Sequence, residues 1–127
     1  MQDYRRLHVW ARAHSHALNV RKASRRFPRS GYASLKAQIT TAAESIAFNI
    51  VEGCGSRSPK EFARFLDISI KSAFELEYQL TLARDYRVLT DKDWKTLSEE
   101  TIDIRKMLCG LRAKVLAPTK TVTLTTQ

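Results

Sequence analysis

The chain reads as all-α, an antiparallel four-helix bundle running up-down-up-down, on three observations. Apolar residues recur at steps of three and four through four separate stretches. Only four Gly and three Pro leave little material for a turn-rich β fold. The stretches are separated by short breaks at Phe27-Pro28, Gly53–Arg57 and Val88–Asp91, and short connections force neighbouring helices to run antiparallel. The 127 residues suffice for one domain with one core. The bundle is expected over 1–117, with a C-terminal tail over 118–127 whose alternating TKTVTLTTQ has no strand to pair with.

The first helix is predicted from about Asp3 to Arg26, with Leu7, Trp10, Ala11, His14 and Leu18 as its core stripe. A second apolar strip, Val9, Ala13 and Val20, reads as a face shared with another subunit. Phe27-Pro28 stops the helix, because the residue before proline is pushed out of the α region. The second helix is expected to start with Ser30 or Ser34 as cap and to bury Ile39, Ala42, Ala43, Ile46 and Ile50. Its small residues allow close helix approach, and Gly53 is expected to close it in the left-handed conformation. Ser58-Pro59-Lys60-Glu61 carries a full capping signature for the third helix, whose stripe runs Phe62, Phe65, Leu66, Ser69, Ala73, Leu76, Leu80 and Ala83. Thr90 with Asp93 opens the fourth, with Trp94, Leu97, Thr101, Ile104, Leu108, Leu111 and Val115 inward.

Charge is the main functional signal. The net charge is +9, and Met1 to Lys36 holds nine Lys/Arg against the single acid Asp3. Such asymmetry points to a polyanion, most simply RNA or DNA. On a helical wheel Arg5, Arg12, Lys22 and Arg26 form a ridge, extended by Arg29 past the helix end, while Arg21 and Arg25 fall nearer the stripe. Arginine forks suit phosphate oxygens. On this reading, replacing Arg12, Lys22 and Arg26 together with glutamate abolishes binding.

The other chemistry-bearing residues point elsewhere. Asn49 and Glu52 on the second helix, with Ser72 and Glu75 on the third, read as a structural polar network. Glu75 and Glu77 point to different faces and make no catalytic pair. No nucleophile, base and orienting group recur at usable spacing, so the protein is expected to be non-catalytic. His14 and His16 diverge on the helix, and the two cysteines, Cys54 and Cys109, fit no zinc pattern and read as thiols at or near the core, so no metal and no cofactor is expected. Gly53-Cys54-Gly55-Ser56-Arg57 lacks the residues of a phosphate-binding P-loop. Phe62 and Phe65 read as core, not as base-stacking rings. No apolar run reaches the roughly 20 residues of a membrane span, and the N-terminus lacks an apolar leader, so a cytoplasmic protein is expected.

Several runs resemble the four-helix-bundle proteins encoded in intervening sequences of bacterial 23S rRNA genes. They are Leu7-His8-Val9-Trp10, Phe27-Pro28, Gln38, Ala42-Ala43, Ser45-Ile46 and Asn49-Ile50-Val51-Glu52-Gly53, then Glu61-Phe62, Phe65-Leu66, Ser72 and Glu75-Leu76-Glu77. Val51 departs from the alanine more common there. The resemblance implies a ring-shaped homopentamer without known catalytic residues. It also implies likeness in fold to accessory proteins of diversity-generating retroelements, which bind nucleic acid and partner a reverse transcriptase. A structural or adaptor oligomer that binds a protein partner is the competing expectation.

Overall fold

Four helices account for nearly all of the chain that the structure, a computed structural model, describes: residues 2–118. They are α1 (His8–Ser24), α2 (Ala33–Cys54), α3 (Pro59–Asp85) and α4 (Asp91–Leu116), preceded by a single 3-10 turn at Tyr4–Arg6. Each packs on its neighbours in the order α1, α2, α3, α4, and α4 returns to α1. Side-chain bonds give the direction, since a step forward on one helix is a step back on its neighbour: Ser45 meets Ser72 and the Ile46 carbonyl accepts from Ser69; Glu77 meets Arg105 and Asp67 meets Arg112; His16 meets Thr101 and Arg26 meets Asp93. The expected up-down-up-down bundle is therefore the observed one. Thr119–Gln127, most of the expected tail, lies outside the described residues.

Helices α2, α3 and α4 bury most of the predicted stripes; Trp94, Leu111 and Val115 are half-buried at the core's edge, and Phe65, expected in the core, is half-buried outside it. Ile39, Ala42, Ala43, Ile46 and Ile50 meet Leu66, Ala73, Leu76 and Leu80 and, from α4, Leu97, Ile104 and Leu108, all within one core. Ser58 caps α3 by accepting from the Glu61 amide at 3.1 Å, and Thr90 caps α4 by accepting from Asp93 at 3.1 Å. Each satisfies an amide that has no partner inside its helix.

Helix α1 differs from expectation in phase. Its buried residues are Val9, Ala13, His16, Val20, Ala23 and Ser24, while Leu18 is 58% exposed and His14 lies on the surface. The strip assigned to another subunit is thus the core; of the expected core stripe, Ala11, His14 and Leu18 face out, while Leu7 and Trp10 are half-buried at the edge of the core. At 100° per residue the two directions differ by roughly 140°. The inward strip continues at unbroken steps of four and three from Val9 to Ala23 and on to buried Phe27, whereas the outward one stops at Leu18. The larger Trp10 and leucines outweighed this in the sequence, and His16 interrupted an otherwise apolar row.

Three local expectations also change. Neither Ser30 nor Ser34 caps α2; Tyr32 occupies that position, and no side chain accepts from the first turn. Gly53 sits inside α2 and is buried: a Cβ there would lie 2.6 Å from the Phe62 ring, so glycine serves close approach to α3 and not a left-handed closure. The left-handed glycine is Gly31, with φ +92°, in the α1–α2 loop. Cys54 is buried as expected, but Cys109 is exposed.

Candidate nucleic-acid interface

The predicted basic ridge does not form one surface. Arg5 lies in the 3-10 turn ahead of α1, held locally by Asp3 at 3.5 Å. Since α1 alone has 17 residues, Arg5 and Lys22 are separated by roughly 25 Å along the bundle. Arg12 forks onto Glu100, with Nε 3.0 Å from one carboxylate oxygen, and also reaches Asp103 at 3.5 Å. The hydrogen bonds to Glu100, outweighing partial desolvation, hold the guanidinium proton more tightly than usual. Arg26 pairs with Asp93. Arg12 and Arg26 flank the true core face of α1 on the α4 side, where the acidic row Asp93, Glu100 and Asp103 meets them. Their charge is spent within the bundle. These half-exposed pairs contribute at most about 1 kcal/mol each to stability.

Lys22 and Arg29 are exposed and, among the described residues, stand in no ion pair. The same is true of Arg21, Arg25 and Lys36. Corrected phase explains why. Arg21 and Arg25 point away from α4 and toward the N-terminal half of α2. There they line, with Ser24, Ala33, Lys36, Ala37, Thr40 and Thr41, a cleft of about 430 Å³. Hydroxyls and cations line this cleft with no carboxylate among them. The uncapped first turn of α2 opens beside it at Ala33 and adds the partial positive charge of its free amides. Of the predicted set, Lys22 and Arg29 are exposed near the same end of the bundle but do not line the cleft, and Arg5, Arg12 and Arg26 are engaged elsewhere. Reading the sequence missed Arg21, Arg25 and Lys36 as the cleft; the signal available was the spacing of Asp93, Glu100 and Asp103, an acidic row matched to Arg12 and Arg26.

The predicted polar network is smaller than expected. Asn49 donates to the Ser45 carbonyl at 2.9 Å and to its hydroxyl at 3.1 Å, and Ser45 meets Ser72 at 2.8 Å. Glu52 and Glu75 are exposed and join no side-chain hydrogen bond among the described residues. Both lie far enough around their helices to reach water, which is less costly for a carboxylate than burial beside serine. Among the described residues no three His, Cys, Asp or Glu side chains cluster as metal ligands, and no helix is long and apolar enough to cross a membrane.

A second surface lies on the other half of α1. Tyr4, Trp10, His14, Ala17, Leu18, Glu44, Ala47, Phe48 and Val51 line an apolar groove of about 390 Å³ between α1 and α2. Trp10 stacks on His14 at 5.1 Å, and Phe48 is 67% exposed.

The family model described as 23S rRNA-intervening sequence protein matches residues 5–110, which span all of α1, α2 and α3 and most of α4. The chain belongs to this family. A solved member of the S23 ribosomal protein family from Bacteroides thetaiotaomicron, itself described as of unknown function, superposes with a TM-score of 0.77 at 23% identity. The alignment covers 82% of this chain and 97% of that one, and at this identity it establishes a common fold. Among curated proteins none matches. Family membership thus fixes the bundle, and neither the family description nor the solved relative names a catalytic activity.

Proposed function

We propose that this family member is a non-catalytic protein that grips the phosphate backbone of RNA or DNA at the α1–α2 corner, through Arg21, Lys22, Arg25, Arg29 and Lys36. The observation that carries the reading is the contrast within one helix. Arg12 and Arg26 are neutralised by α4, while Arg21 and Arg25 line a carboxylate-free cleft with Lys36. Unpaired cations beside free helix amides attract phosphates regardless of base identity. The test is photocrosslinking of 4-thiouridine RNA to the purified protein, with peptides mapped by mass spectrometry. Crosslinks within residues 21–40 support the assignment; crosslinks confined to the Arg5–Arg12 segment contradict it.

Self-association accompanies this reading, because the outward Trp10, Leu18 and Phe48 groove is an apolar face that water leaves uncovered. A ring, a pentamer by family resemblance, would repeat the basic corner and add weak contacts through avidity. A protein partner such as a reverse transcriptase would find its apolar seat on the same groove, and this is the alternative function. Sedimentation at micromolar concentration is expected to give an oligomer for the native chain and a smaller species for Phe48→Glu. A monomeric native chain removes the ring.

A further inference from the structure

The end of the bundle that carries the basic corner also carries an aromatic pair, of which Tyr32 packs against the core and Tyr86 stands out from it. Tyr32 closes the α1–α2 loop and Tyr86 opens the α3–α4 loop. Their rings are 6.0 Å apart and inclined at 53°, and Tyr86 is 53% exposed. Each ring has a cation near it in sequence: Arg29 precedes Tyr32, and exposed Arg87 follows Tyr86.

Arg87 stands in an unfavourable conformation. Its φ is +63°, and it is the one non-glycine residue with positive φ among the described residues. The surrounding hydrogen bonds define a helix-ending motif. The Val88 amide donates to the Ala83 carbonyl at 3.0 Å and the Arg87 amide to the Arg84 carbonyl at 2.8 Å. Glycine is the favoured residue at that position, because a Cβ there crowds the backbone. Arginine at this position carries backbone strain that glycine would relieve, and its side chain is exposed beside Tyr86.

We infer that the exposed Tyr86 ring, backed by Tyr32 and flanked by Arg87, forms a stacking platform for unpaired nucleobases, so that the ligand of the basic corner is single-stranded. The inference rests on the backbone-binding reading above and extends it. Loop-borne rings with open faces accept bases in a strand that tracks a cationic groove, and base pairing in a duplex would hide those faces. The cleft between Arg25 and Lys36 begins at Ala33, the residue after Tyr32, so one strand reaches both.

The test uses fluorescence anisotropy with a labelled twelve-nucleotide oligouridylate and, separately, a twelve-base-pair RNA duplex. Native protein is expected to favour the single strand by about tenfold or more. Tyr86→Leu should weaken single-strand binding by about tenfold and leave duplex binding unchanged, and Tyr86→Phe should restore it. Arg87→Gly should weaken single-strand binding while raising the melting temperature by about 3–5 °C, a loss that misfolding does not explain. Equal affinity for both probes, or Tyr86→Leu binding like the native chain, overturns the platform and leaves the backbone reading standing. Binding to neither probe overturns both.

Discussion

Replacing Arg21, Arg25 and Lys36 together with glutamate is expected to lower affinity for single-stranded RNA by about 100-fold or more at 0.1 M salt. Each phosphate neutralised on a single strand contributes about 0.7 to the slope of log affinity against log salt, hence about 0.7 log unit between 0.1 M and 1 M. Three lost contacts give about two log units, and the added negative charge increases the loss. The fold should tolerate the change, because all three side chains are exposed and, among the described residues, make no ion pair. Arg12→Ala is the contrasting variant. It removes the bond to Glu100, and because the guanidinium is already neutralised it should change affinity by no more than about twofold. Anisotropy titrations of both variants at one salt concentration separate the cases. Equal losses would return the binding surface to the α1–α4 side.

Acid is expected to weaken the bundle by about 3 kcal/mol through His16 alone. His16 is 2% exposed, and its Nε2 lies 2.7 Å from the Thr101 hydroxyl. That hydroxyl donates to the Leu97 carbonyl at 2.7 Å, so it accepts from His16, whose Nε2 then carries the proton. Nδ1 is buried without a partner. Burial lowers the pKa from 6.5 to about 4; nearby Glu100 opposes the shift and Arg12 assists it. An unfolded chain therefore takes up this proton near pH 6.5 and the folded one only near pH 4. Between those values the unfolded state holds more protons. The His16 contribution is complete above about pH 6.5, falls as pH drops toward 4, and is lost below it. The gap of about 2.5 units corresponds to about 3 kcal/mol. Urea midpoints at pH 7 and pH 4.5 should differ markedly more for the native chain than for His16→Leu. Identical pH slopes in the two proteins would mean that His16 is not the group concerned.

The bundle was legible because three of its helices state their phase without competition. On α2, Ile39, Ile46 and Ile50 have no rival apolar face of similar strength, and capping residues mark the starts of α3 and α4. Helix α1 has two apolar rows. The choice between them depends on Thr101 of α4 receiving His16, a contact 85 residues away that no local window contains. The candidate site suffers from the same nonlocality. Composition locates the excess charge in the first third of the chain, yet only packing decides which cations meet Asp93, Glu100 and Asp103 and which stay free. Glu52 and Glu75 illustrate the reverse case: proximity to Asn49 and Ser72 in helical register did not draw them into the hydrogen bonds that Ser45 makes. The exposed Tyr86 gave no signal at all, since an isolated aromatic at a helix end reads equally well as core.

The account stands on Arg21, Lys22, Arg25, Arg29 and Lys36 meeting phosphates, and the salt dependence of RNA binding by the native protein measures that directly. If all of these cations displace counterions from a single strand, log affinity should fall linearly with log salt with a slope of about −3 to −4. A slope near zero would contradict it.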